Sequence, residues 1–367
     1  MSRAREFADL AGSADAGGIT GRNMVINGAM QIYQRGASTT SSGGFAADRF
    51  SHEYGGGTST LSRETLSSGS PYDEGFRFFT RLTNTATASG SGNFRQLRTA
   101  LESQDIANSG WNYKSATSFV TWSFWVRVSL AGKYTFTFQT ADGTAYLYGF
   151  SETLVADTWT KVTQAIPGNA NLQFDNDANV GLYVHARVWL GSDFTSASSE
   201  NAWAAYNSAN ISTSGIANFA GTSNATFDMT GVQLEVGEQA TPFEHRSFGD
   251  ELARCQRYYF RQEYDSAIPY LGAGGVYRNT LAMLIMHLPV AMRVAPTAID
   301  QSGTASHYTA WGNESTTACS AVPVIRAGDS KTSVNVDLTF NTLNSATGTY
   351  VYRITNTSGY LGVSAEL

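Results

Sequence analysis

The sequence predicts a mainly β protein: an antiparallel sandwich, one connecting α-helix near residue 250, and a smaller C-terminal β-rich domain. Three observations lead there. Charged residues are only 15% of the 367, while Gly numbers 36 and aromatic residues make 12%; this suits short strands joined by tight turns and is too apolar for disorder. Segments of apolar alternation recur between Gly, Ser, Asn and Asp clusters from Phe76 to Val236. One stretch, Phe248 to Tyr259, changes period from two to helical spacing.

A chain of 367 residues can hold two domains, each burying a core without metal or disulfide. The net charge of −6, with no Lys/Arg cluster interleaved with aromatics, argues against nucleic acid as a partner. Cys255 and Cys319 make no disulfide framework, and Cys255 reads as a small buried apolar residue. No basic-then-apolar signal opens the chain, and the longest apolar run, Leu281 to Met292, is broken by His287 and Pro289. The expectation is a soluble protein made in a cytoplasm, without membrane insertion.

Residues 1–22 are rich in small residues and read as a tail that a partner could order. From Asn23, NMVINGAMQIYQRG places Val25, Ile26, Met30, Ile32 and Tyr33 around an Asn27-Gly28 turn signal, which predicts a hairpin or bent strand pair. Its amides, and Arg35, suit backbone satisfaction better than ligand binding. Strands are expected at 76–82, 118–128, 133–140, 145–150, 159–166, 179–190 and 226–236. In the second, Val120, Trp122, Phe124, Val126 and Val128 form one face against Thr121, Ser123, Trp125 and Arg127. Gly231 interrupts the last, where a bulge would shift its phase. Ser247 and Asp250 form a capping-box pattern, so a helix should start near Phe248 and run over 247–262, with Asp250 and Glu251 at its start and Arg254, Arg257 and Arg261 toward its end. Beyond it, 282–289 and 332–340 read as strands, and the last segment as a hairpin around Asn356 to Gly359 that brings the terminus into the fold.

Three segments carry a resemblance. GRNMVINGAMQIYQRGAS followed by ADRF, then GVQLEVGEQATPFEHRSFGDELARCQRYYFR, then LPVAMRVAPTA resemble segments of tail-fibre and other virion-surface fibre proteins of tailed bacteriophages. The order SFWVRV, WTKV, FDMTGVQLEVG resembles jelly-roll carbohydrate-binding modules. Together these imply an attachment segment (1–22) that binds another virion protein, a jelly-roll sandwich (23–246), the connecting helix (247–262) and a distal receptor-binding domain (263–367). They further imply a homotrimer on the virion surface whose partner is a host-surface polysaccharide. A head-attached fibre or decoration protein would share this scaffold, and a depolymerase would share the glycan target.

Enzyme signatures are missing: no G-x-S-x-G, H-E-x-x-H, phosphate loop or dinucleotide fingerprint occurs. The five histidines are scattered, and His185, inside LYVHARVWL, reads as a satisfied sheet histidine. Glu235, Glu244, Asp250 and Glu251 crowd one stretch, but helix capping and local pairing account for them better than a hydrolytic pair. No catalytic residue is therefore assigned. Asp175, Asp177 and Asn179 have the oxygen spacing of a calcium loop without its glycine and glutamate; a structural calcium there is implied only by the jelly-roll resemblance. Sugar binding calls for aromatics in turns beside polar groups. Trp111 and Tyr113 qualify in the sandwich, and Tyr270, Tyr277, Tyr308 and Trp311 beyond the helix. The basic stripe Arg254, Arg257 and Arg261 could instead hold an anionic glycan. Tyr258 and Tyr259, adjacent on the expected helix, point to different faces, so one could meet a neighbouring subunit.

Overall fold

The computed structural model describes residues 21–263, 270–312, 315–326, 330–343 and 349–367. The expected attachment segment, 1–22, lies outside the described residues save for Gly21 and Arg22. The chain forms two compact units that divide between Glu251 and Leu252.

The first unit is a sandwich of two six-stranded antiparallel sheets. One sheet has the order β1 (Ser38–Thr39), β3 (Thr58–Thr65), β4 (Phe78–Ala86), β12 (Thr226–Val236), β6 (Phe119–Val128), β9 (Thr160–Pro167). The other runs β11 (Trp203–Ala205), β8 (Tyr146–Leu154), β7 (Gly132–Thr140), β10 (Val180–Leu190), β5 (Phe94–Glu102), β2 (Ser51–Gly55). The core follows from the alternation read in β6. Its Val120, Trp122, Phe124, Val126 and Val128 are buried, and Trp122 meets Phe136 and Phe138 of β7 at ring distances of 5.8 and 5.3 Å. Two long strands, β3 and β5, each second from an edge of its sheet, lie outside the strands expected from the sequence. In β5 the alternation is masked by Arg95, an inward residue that is fully buried because its guanidinium donates to the carbonyls of Gly55, Ala86 and Phe94 at 2.9–3.1 Å.

No hairpin forms over 23–33; the segment is a run of turns. Its partner is β12. The Asn23 side chain donates to Val232 O (3.0 Å) and accepts from Leu234 N (3.0 Å), so one amide stands in for ladder bonds. Asn27, at φ 61°, bonds Ile32 at both N–H and C=O and reaches Asp48 O of the ADRF segment at 2.9 Å. Asp48 in turn accepts from Gln34 N (3.1 Å) and Gln34 Nε2 (2.7 Å). The bulge expected at Gly231 is present: β12 changes register against β6 between Thr230 and Gln233, with Gly231 at φ 63°.

The described part also holds two single-turn helices, α1 (Ser70–Asp73) and α2 (Ser103–Ala107), and one longer helix, α3 (Phe248–Gln256). The α3 start is as predicted, with Asp250 N donating to Ser247 Oγ at 3.2 Å and Ser247 Oγ to Asp250 Oδ2 at 2.7 Å. Its end is not: the chain turns at Arg257–Tyr258 and Tyr259–Glu263 is strand β13.

The second unit contains a three-stranded sheet, β13, β22 (Tyr360–Ser364), β16 (Ala298–Gln301), and a seven-stranded sheet. The latter runs β18 (Ser315–Ala318), β17 (Tyr308–Gly312), β21 (Thr349–Ile354), β14 (Tyr270–Arg278), β15 (Leu281–His287), β20 (Ser333–Thr339), β19 (Val324–Ile325). The expected terminal hairpin is absent because β21 and β22 join different sheets. The unit has its own core, including Leu284, Val336, Tyr352 and Val363. The MRVAP segment serves it: Arg293 donates to Ala365 O at 2.9 Å and Glu366 O at 3.0 Å, fastening the last strand.

Candidate functional site

The structure sorts the sequence-predicted aromatics by exposure. Trp111 is only 3% exposed and donates its indole N–H to Ser118 O at 3.1 Å, so it is core and offers no stacking face. Tyr113 is half-buried, edge-on against Phe174 at 4.9 Å. Tyr308 is fully buried, donating to Tyr360 O at 2.5 Å. Tyr270, Tyr277 and Trp311 are exposed by 60%, 58% and 41%, and all three belong to the seven-stranded sheet.

A regular strand would send Tyr270 and Tyr277, seven residues apart, to opposite faces. They share one because β14 shifts register against β21 between Tyr270 and Gly272, where Gly272 takes φ 145°. A Cβ on Gly272 would meet Leu284 of the core at 2.9 Å, and one on Gly274 would meet Met283 O at 1.9 Å, so both positions face inward and admit only glycine. The outward positions between the tyrosines are Ala273 and Gly275, which leave the middle of the face shallow.

One end of this face has the makings of a polar ligand site. Arg353 of β21 pairs with Tyr270 on one side and Thr309 of β17 on the other, and Trp311 follows Thr309 by two residues on the same face. The aromatics thus sit on the strands flanking Arg353, roughly 10 Å apart by strand spacing. Arg353 lies 5.5 Å from the Trp311 ring centroid and donates Nη2 to Thr316 Oγ1 at 2.8 Å. Its Nε and the Thr309 hydroxyl are both buried without a hydrogen-bond partner. Buried polar groups in folded chains are mostly bonded, and here two without a protein partner lie beside an exposed indole. At the other end, Arg326 stacks on Tyr277 at 4.7 Å and pairs with Asp337 at 2.9 Å, a self-satisfied arrangement. Thr309 and Arg353 carry no sequence signal; only the sheet register brings them to Trp311.

The remaining expectations fare differently. Tyr258 and Tyr259 are buried within their own unit, Tyr259 donating to Asp300 Oδ2 at 2.5 Å, and Tyr259 is not helical; neither offers a surface to a subunit. The basic stripe is broken, since Arg261 lies on β13, stacked 3.7 Å over Tyr360 and paired with Glu263. The crowded carboxylates are used internally. Glu235 accepts from Thr241 N (2.8 Å), Glu244 from Asn23 N (2.7 Å), Glu251 from Asn27 N (2.5 Å), and Asp250 caps α3. Asp177 closes a turn on Asn179 N at 2.9 Å, and Asp175 accepts from Gln173 at 2.6 Å. Among the described residues no group of three or more His, Cys, Asp or Glu could hold a metal ion. Both cysteines are free and buried, and burial pushes the Cys319 thiol up to about 12, far from nucleophilic use at neutral pH. No described helix is long and apolar enough to cross a membrane.

No protein-family model matches the sequence, and no curated protein matches it. Among solved structures, the enzymatically active domain of bacteriophage CBA120 tailspike protein 4 is similar at 9% identity and TM-score 0.32, covering 59% of this chain and 21% of that one. A family 4 carbohydrate-binding module is similar at 11% and 0.28, covering 57% and 98%. So is a family 11 carbohydrate-binding module from Clostridium thermocellum, at 10% and 0.25, covering 54% and 95%. This chain thus spans about a fifth of the tailspike it resembles. Identities this low say nothing of shared ligands.

Proposed function

We propose that the protein is a bacteriophage virion-surface component, a tail fibre or spike, that binds a host-surface glycan without cutting it. The observation that carries the binding reading is the Trp311 end of the seven-stranded sheet. There an exposed indole and Tyr270 flank Arg353, whose Nε, like the Thr309 hydroxyl, lacks a partner. A pyranose has an apolar face for the indole and hydroxyls for the Arg353–Thr316 polar edge beside it, so a sugar satisfies both kinds of surface at once. The virion reading is supported by how the three resembling segments fold: they lock strand ends together instead of lining a reaction centre, as befits a reusable scaffold.

The test is binding of the full chain to a panel of bacterial cells and their purified surface polysaccharides. Trp311→Ala is expected to weaken binding about fivefold, the value of one lost aromatic contact of about 1 kcal/mol, with the melting temperature unchanged because the side chain is exposed. Unaltered affinity in that variant would remove the site from the proposal. New reducing ends or unsaturated products on incubation with a bound polysaccharide would make the protein a depolymerase.

A further inference from the structure

The sandwich carries a second polar face, on the outside of the β10 sheet. Strand β10 places Tyr183, His185 and Arg187 there, while Leu182, Val184 and Ala186 enter the core. Arg98 of β5 and Thr137 of β7 lie opposite His185, Gln139 opposite Tyr183, and Thr135 opposite Arg187. Residues 192–215 pass over the Arg187 end: Ser212 Oγ is 2.6 Å from Thr135 Oγ1, and Glu200 pairs with Lys133 at 3.0 Å. Arg187 and His185 are 5% and 3% exposed, whereas Arg98, Tyr183 and Gln139 are half-buried and line the open side.

The charges do not balance. Arg187 donates Nε to Thr137 Oγ1 (3.1 Å), Nη2 to Gln139 Oε1 (3.2 Å) and Nη1 to Gln96 Oε1, three neutral acceptors. Glu53, whose charge acts on Arg187 without an ion pair to it, is held by Arg98 at 2.8 Å and by Gln96 Nε2 at 2.6 Å, and Glu200 is held by Lys133. His185, expected to be a satisfied sheet residue, has a buried Nδ1 with no partner. Burying a guanidinium without a counter-charge is costly enough that folded proteins pair it. We propose that the missing counter-charge is a ligand: an oxyanion group, borne by an acidic sugar or free in solution, seated against Arg187, His185 and Arg98. Tyr183, which lies under the Arg98 guanidinium at 5.0 Å, and Gln139 supply a ring face and an amide beside that group, as an acidic pyranose requires. Burial, with Arg187 and Arg98 nearby, holds the His185 pKa well below its usual value, so the free imidazole is neutral and can donate from Nδ1. This site belongs to the first unit and does not depend on the Trp311 reading.

The experiment titrates the full chain with glucuronate, sulfate and glucose, following the histidine ring signals by NMR and the melting temperature by tryptophan fluorescence. Glucuronate should shift the His185 ring saturably and raise the melting temperature, and glucose should do neither. A stronger response to glucuronate than to sulfate assigns the site to an acidic sugar; an equal response assigns it to the bare oxyanion. Arg187→Gln should weaken the response at least about tenfold, with Arg187→Lys recovering part of it. If neither anion moves the His185 signals at concentrations in the tens of millimolar, or if Arg187→Gln responds like the parent, Arg187 is a structural strut and the proposal is wrong.

Discussion

Asp228→Ala should destabilise the sandwich by about 3 kcal/mol, the low end of the range for breaking a buried ion pair from one side. Asp228 is 1% exposed in β12 and bridges two strands: Arg81 of β4 meets it at 2.7 and 2.8 Å, and Arg127 of β6 at 2.7 and 2.9 Å. Removing the carboxylate leaves two guanidiniums facing each other across a central strand. Their side chains are about a third exposed, so water recovers part of the loss, which is why the low end applies. Asp228→Asn keeps the shape and should lose less. Intrinsic fluorescence suits the measurement, because six of the seven tryptophans, all but Trp311, lie in the first unit. A loss below about 1 kcal/mol for the alanine variant would mean that the triad behaves as a solvent-exposed pair.

How much of this was legible beforehand depended on which signal each element used. The strands with clean alternation, β6, β7, β10 and β12, were readable because one face is apolar and the other is not, and the bulge at Gly231 was readable because a glycine stood where the phase broke. Strand β5 was hidden by Arg95, whose inward position makes sense only once the carbonyls of Gly55 and Ala86 are known to surround it. The 23–33 segment carried a genuine turn signal at Asn27-Gly28, yet its bonding partner is two hundred residues away in β12, and no local pattern reports that. The helix start was fixed by local capping chemistry, but its end was not. Tyr258 and Tyr259 continue a helical pattern while tertiary pairing draws Tyr259 into a strand against Ser364. At the candidate site, Trp311 and Tyr270 were identifiable as aromatics near turns. Thr309 and Arg353 were not, since their value lies in cross-strand register and in bonds they fail to make.

Gly28→Ala is the substitution expected to show most directly that the resembling segments form a lock. Gly28 does not have a left-handed backbone, so alanine carries no conformational penalty there; the obstacle is space alone. A Cβ at Gly28 would stand 2.0 Å from Val232 O and 3.1 Å from Val232 C, distances that require backbone to move. That carbonyl already accepts from Asn23 Nδ2 at 3.0 Å, and Val232 N donates to Gly28 O at 3.0 Å. Displacing it therefore loosens Asn23 from β12 and disturbs the adjoining bulge. The bulge has little room to yield, because the Phe76 ring packs so closely on Gly231 that a Cβ there would sit 2.7 Å from it. Overpacking of this kind costs about 3 kcal/mol when the neighbour is backbone, and hydrogen exchange should rise at Val232 and Leu234 first. Gly36→Ala separates the two causes: Gly36 has φ 100° but nothing within 4 Å of its Cβ position, so it should cost only about 1 kcal/mol through backbone conformation. Should Gly28→Ala prove no more damaging than Gly36→Ala, the close approach of the two segments would not be what holds the sandwich shut.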